Sequence, residues 1–234
     1  MKLVLLGEGH GEASALPILA RKLLREKDPE SRLLYVDSDI IRTRNPSGFV
    51  LWNKERRQPD YGKWIRYLQI ARRRGDVGAV LAIYDGDAPT FPAGSSAEFC
   101  AKIAARMLTA AAAEAGAGKM FSLAVVFACI EYESWLVAGA ESLAGKCFPD
   151  GRLALPADME YPEGDPEGHG KRWLETHCSG YRPTRDQGPL TDLLDLPTVR
   201  AKKLRSFSRL DHALDQLLEA VRTAFHVATP REGV

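Results

Sequence analysis

Val77-Gly78-Ala79-Val80-Leu81-Ala82-Ile83-Tyr84-Asp85-Gly86-Asp87 decides the fold. Residues 77–84 are almost continuously apolar, without the alternation of a strand that has one wet face, so they read as a strand buried on both faces of a parallel sheet. The run stops abruptly at Asp85-Gly86-Asp87, with Pro89 and Pro92 beyond it, and these residues mark a turn at the carboxyl end of the strand. Downstream, an alanine-rich helix is expected over 97–114, closed by Gly116 and Gly118, followed by a second buried strand over 121–130. Upstream, a helix over 61–74 places Trp64, Leu68, Ile70 and Ala71 inward and ends on Arg72-Arg73-Arg74.

The first residues repeat the pattern. Lys2-Leu3-Val4-Leu5-Leu6-Gly7 is a short apolar run, and from Glu12 the residues Ala15, Leu16, Ile18, Leu19, Leu23 and Leu24 form one helical stripe. Pro17 fits such a helix only in its first turn. A further strand is expected over 31–36, and Asn45-Pro46-Ser47-Gly48 breaks regular structure. Strands alternating with helices predict a Rossmann-like α/β fold, a parallel sheet with flanking helices and right-handed crossovers.

From Lys146 the texture changes, so the chain divides into a core over 1–145 and an extension over 146–234 packed on it. Residues 148–170 are rich in Pro, Gly, Asp and Glu and read as a lid or excursion. Residues 171–177 and the stretch around Leu204 look less regular, Asp186-Gln187 reads as a turn before 190–196 or as a polar pair near the lid that orients a substrate, and 208–225 is an amphipathic helix. The extension is therefore mainly helical, with frayed last residues.

Hydrophobic residues make up 45% and charged residues 27% of 234, with a formal net charge of +1. That balance excludes extended disorder but leaves room for a local basic face. No apolar run is long enough to span a bilayer, and the first strand reaches Glu8 too soon for a signal-peptide core, so a cytoplasmic protein is expected. Cys100, Cys129, Cys147 and Cys178 lack the paired spacings of zinc or redox motifs and read as reduced structural thiols.

Ligands of open parallel sheets bind beyond the carboxyl ends of the strands. Glu8, Asp85, Asp87, Glu131 and Glu133 all follow predicted strands, with Glu12 at the start of the first helix. Clustered carboxylates repel one another unless a cation offsets the charge, and hard oxygen donors suit Mg2+ or Mn2+, so Glu8, Asp85 and Asp87 are expected to hold a divalent metal ion. Taken singly, an acidic residue after a strand is often only a helix cap or a turn former. Gly9 and Gly11 around His10 would let the main chain approach a phosphate, and Gly86 is free to take a positive φ.

This conjunction resembles the Toprim domain of topoisomerases, bacterial primases and nucleases of the overcoming-lysogenization-defect (OLD) type. The pattern there is a strand ending in Glu-Gly, here Glu8-Gly9, and a later strand ending in Asp-x-Asp, here Asp85-Gly86-Asp87. Glu12 matches the second acidic residue of the nuclease branch, and Glu131-Tyr132-Glu133-Ser134-Trp135-Leu136 is similar to a signature of domain of unknown function family 4276. The motifs cover about residues 1–140.

The resemblance implies metal-dependent phosphodiester chemistry on nucleic acid. Glu8 would act as general acid or base, Asp85 and Asp87 would ligate magnesium, and Glu12 with Glu131 or Glu133 would complete a second metal position. No tyrosine is placed as a topoisomerase nucleophile, which favours a nuclease. OLD nucleases fuse this unit to an ATPase that the chain lacks, so a separate ATPase subunit is an expected partner.

Lys171, in His169-Gly170-Lys171-Arg172, is a candidate catalytic contact to a phosphate, and His10 another candidate near the carboxylates. Arg182, Arg185, Lys202, Lys203, Arg205 and Arg209, interleaved with Tyr181 and Phe207, offer either a strand-binding surface or ordinary solvated cations. Trp135 and Trp173 read as core anchors. Two other readings compete: a haloacid-dehalogenase-like phosphohydrolase, which would want its Asp-x-Asp on the first strand, and a non-catalytic Toprim-like interaction or regulatory module.

Overall fold

The computed structural model describes residues 1–30, 32–148, 155–162 and 169–230. Its centre is a parallel sheet. Strand β1 (Lys2–Gly7) lies between β2 (Tyr35–Val36) and β6 (Val77–Asp85), and β7 (Ser122–Ala128) and β8 (Ala228–Thr229) follow in the order β2-β1-β6-β7-β8, with β3 (Ile41–Arg42) also paired to β1. Every ladder in this sheet is parallel. Leu81 of β6 is in register with Leu5 on one side and Ala124 on the other.

The apolar runs have no wet face because both faces are covered. Leu3, Leu5, Ala79, Leu81, Ile83, Ala124 and Val126 point to one core, and Val4, Leu6, Val80, Ala82, Tyr84, Leu123, Val125 and Phe127 to the other. This alternation is the period of a strand. The first core is closed by α1 (His10–Lys27), α4 (Glu133–Ala138) and the C-terminal helices α7 (Pro183–Leu193), α8 (Leu196–Ala201) and α9 (Arg205–Arg222). The second is closed by α2 (Gly62–Arg72) and α3 (Ala101–Ala111), with Trp64 fully buried and its Nε1 donating to the Leu108 carbonyl at 2.8 Å. The mixed α/β class read from the sequence, with a mainly parallel sheet flanked by helices, is the observed one.

Several local expectations are corrected. Pro17 lies well inside α1, beyond the first turn, and is buried against the sheet. The missing N–H costs one helical hydrogen bond, and packing of the apolar stripe outweighs that loss. Ile70 is exposed rather than inward. The strand expected over 31–36 contracts to Tyr35–Val36, and β3, β8 and the antiparallel hairpin β4 (Leu51–Asn53) with β5 (Gln58–Asp60) were not foreseen. Residues 170–177, expected to be less regular, form α6 (Gly170–His177). Asp186-Gln187 is not a turn: both residues are buried inside α7.

α7 is long and regular despite Pro189 because it packs directly on α1. Gly188 leaves room for Ser14, whose Oγ would stand 3.0 Å from a Cβ there. Lys22 of α1 donates its ammonium protons to the carbonyls of Thr191, Asp192 and Leu194 at the end of α7, where a cation complements the helix dipole.

The lid expected over 148–170 falls largely on residues outside those described, as do the last residues expected to fray. Its described parts hold buried Phe148, Leu155 and Met159 in the first core. None of the four cysteines is in a disulfide. Among the described residues, no helix is long and apolar enough to cross a membrane.

Candidate carboxylate site at the sheet switch point

The chain runs from β1 through α1 to β2 on one side of β1, then returns through α2 to β6 on the other. The direction of strand addition therefore reverses between β1 and β6, and beyond the carboxyl ends of such a pair lies the crevice where open α/β sheets bind ligands. Glu8 follows β1, Asp85 ends β6 and Asp87 lies two residues on. Glu12 sits in the first turn of α1, and Glu133 opens α4, which follows β7.

Glu8 is held by the main-chain N–H of Asp85 and by the side chain of Asn45, yet burial, then Asp87 and Glu12, push its carboxyl from the usual 4.5 up to about 7. Its Oε2 is buried without a hydrogen-bond partner. Burial also lifts Asp85 well above the usual carboxylate range, with Glu8, Glu12 and Glu133 adding to the effect. The main-chain N–H of Tyr132 opposes this, donating to Asp85 Oδ1 at 2.8 Å. Asp87 is exposed, and Asn45 Nδ2 donates to its Oδ1 at 3.0 Å.

Glu12 folds back over Gly9, since a Cβ at Gly9 would meet Glu12 Oε2 at 2.0 Å. At the third helical position a glutamate ordinarily accepts from the cap N–H. Here Glu12 Oε2 is buried and unpartnered, and the helix has no side-chain cap bond.

Glu133 is 3% exposed, and burial raises its pKa. Tyr181 donates its hydroxyl proton to Glu133 Oε1 at 3.0 Å, and the side-chain amide of Gln187 donates to the same carboxylate. Burial, then Glu133, in turn raises the Tyr181 phenol. Tyr132, next to Glu133, shares a 2.7 Å hydrogen bond with Thr191 of α7.

The structure thus brings Glu8, Glu12, Asp85, Asp87 and Glu133 close enough to perturb one another. Glu131 is employed differently: its Oε1 accepts the main-chain N–H of Lys171 at 2.6 Å and so caps α6. The Lys171 side chain is exposed at the start of that helix. His10 is exposed and accepts a 2.7 Å hydrogen bond from Arg42 at the end of β3.

Of the two readings of the extension, stacking finds no exposed aromatic at Tyr181 or Phe207. Tyr181 is buried on Glu133, Phe207 is buried edge-on against Trp135, and Lys202 is paired with Glu141. Trp135 is the core anchor expected, whereas Trp173 is half-buried and stacked on His177.

Sequence reasoning missed Asn45 and Arg42, and did not place Gln187 and Tyr181 on Glu133. Asn45 had one readable signal, because Asn-Pro-Ser favours a local turn in which the side chain accepts from the chain two residues on. Its Oδ1 does accept from Ser47 N and Oγ, and this turns Nδ2 toward the carboxylates. Gly86 also differs from expectation, because it does not take a positive φ. A Cβ there would stand 2.7 Å from the Ala128 carbonyl oxygen, while its N–H donates to Ile130 at 2.6 Å. Close approach of β6 to β7 is what excludes a side chain. Gly86→Ala is expected to destabilise the protein by about 1–3 kcal/mol, read as a lower midpoint in urea; an unchanged midpoint would show that the two strand ends yield freely.

Among the described residues, no three His, Cys, Asp or Glu side chains stand as a group ready to hold a metal ion. The donor chemistry nonetheless suits a hard divalent cation: Glu8 and Asp85 are raised by burial and then by neighbouring carboxylates, and two buried carboxylate oxygens lack any donor. A cleft of about 510 Å3 lies elsewhere, between α9 and β8, and contains none of these residues.

No curated protein and no solved structure matches the chain. Residues 7–215 match the family described as Domain of unknown function (DUF4276). That match takes in Glu8, Asp85, Asp87, the Glu131 to Leu136 segment and the C-terminal helices that close the first core, and the chain belongs to this family.

Proposed function

We propose that the chain is a divalent-metal-dependent nuclease of the Toprim kind, cleaving phosphodiester bonds of nucleic acid at the carboxylate site. The observation that carries this reading is the pairing of Glu8-Gly9 after β1 with Asp85-Gly86-Asp87 after β6, across the point where strand order reverses. Burial, and then the neighbouring carboxylates, raise Glu8 and Asp85, and a bound cation would offset both effects.

Asp85 and Asp87 would hold Mg2+ or Mn2+, with Glu12 and Glu133 available to a second ion. The ion would supply charge stabilisation to the attacking and leaving oxygens. Glu8, raised to about 7, has the proton affinity of a general acid or base near neutral pH. Asn45 holds Glu8 and Asp87 in place. Glu131, by capping α6, sets Lys171 at the rim, where its ammonium group would meet a phosphate.

The test is cleavage of single- and double-stranded DNA and RNA by the purified chain with Mg2+ or Mn2+. The expected result is cleavage that EDTA abolishes and that Glu8→Ala removes without loss of the fold. Cleavage of equal rate in Glu8→Ala, or unaffected by EDTA, would contradict it.

A further inference from the structure

Glu8 Oε2 and Glu12 Oε2, from the residues that lead into and begin α1, and Gln187 Oε1, packed on its first turn, are buried without a hydrogen-bond partner. The third comes from the C-terminal half of the chain. Gln187 is 1% exposed on α7, and a Cβ at Gly11 would meet its Oε1 at 2.1 Å, so this oxygen rests on the first turn of α1.

The orientation of the amide is fixed by its other end. The Gln187 side-chain N–H groups donate to Glu133 and to Tyr181, and a flipped amide would set Oε1 against the Glu133 carboxylate. A buried carbonyl oxygen without a donor costs free energy, and no group donates to this one. A cation beside it would satisfy the Gln187 oxygen. A neutral oxygen also suits this position, because a further carboxylate would add to the existing repulsion, and amide carbonyls are ordinary ligands of hard divalent cations.

We propose that Gln187 Oε1 is a direct ligand of a divalent cation seated beside Glu12, so that α7 contributes to the site as well as covering the core. This rests on the metal-dependent reading above and adds a ligand from outside the motif-bearing segments.

The experiment is calorimetric titration of the whole chain with Mn2+, comparing wild type, Asp85→Asn, Gln187→Met and Gln187→Glu. Inner-sphere water is counted in parallel from terbium luminescence lifetimes in H2O and D2O. Gln187→Met keeps the length and loses the oxygen; Gln187→Glu keeps an oxygen and loses the N–H that serves Glu133. The expected result is Mn2+ affinity about 10- to 100-fold weaker in Gln187→Met, with one more bound water, and affinity at least equal to wild type in Gln187→Glu. Equal weakening in both Gln187 variants would overturn the proposal and assign the residue to positioning Glu133. Unchanged binding in Gln187→Met, with binding lost in Asp85→Asn, would overturn it and leave the metal-dependent reading standing. No Mn2+ binding by wild type would overturn both. Melting curves in EDTA show whether each variant is folded, and the Gln187→Glu comparison decides the matter if Gln187→Met is not.

Discussion

Asp85→Asn is expected to melt at a higher temperature than wild type in EDTA while losing cleavage by a factor on the order of 10²–10³ or more. The amide keeps an oxygen to accept the Tyr132 N–H that Asp85 Oδ1 now accepts at 2.8 Å, so the local fold has no reason to change. What disappears is a charge that is costly to bury and that Glu8, Glu12 and Glu133 repel. Sites built from such groups trade stability for function. With Mn2+ present the order reverses, because wild type gains the free energy of binding and the variant does not. Differential scanning calorimetry with and without Mn2+, alongside the cleavage assay, checks both halves; a variant less stable than wild type in EDTA would show that the charge is already satisfied within the protein.

The second large effect is on pH. Glu8 is raised from 4.5 to about 7, so between those values the folded protein binds more protons than the unfolded chain. Stability from this group is full below about 4.5 and is lost as pH rises through about 7. Asp85 and Glu133 are shifted in the same direction. Allowing for the partial contact of Glu8 with solvent, its share is roughly 2 kcal/mol.

The opposing groups act in a different range. Asp195 is held low by Thr198, and in Glu141 and Asp211 burial is outweighed by Lys202 and by Arg200 with Lys27. Their contribution is present above the usual carboxylate pKa and is lost only as pH falls below it. Between pH 5 and 8 in EDTA the melting temperature should therefore fall with pH, and Glu8→Gln should flatten the slope. Saturating Mn2+ should reverse it, because metal binding requires the ionised carboxylates. A flat profile in EDTA that Glu8→Gln does not alter would contradict the assignment.

The parts of the fold legible in the sequence are those whose local signal and tertiary environment agree. Residues 77–84 and 121–130 are almost continuously apolar, and the strands they form are covered on both faces. α7 was illegible because Gly188 and Pro189 are local punctuation overridden by contact with α1. β2, β3 and β8 are two residues each and exist through the neighbours they pair with. In the site, the carboxylates could be read because each follows a strand. The amides that hold them could not: Asn45 is 37 residues from Glu8, and Gln187 is 54 from Glu133.

The central claim is that this switch point holds a divalent metal ion. Calorimetric titration of the wild-type chain with Mn2+ tests it most directly. Saturable binding that Asp85→Asn removes is the predicted result, and no binding heat at any pH between 6 and 8 would contradict it.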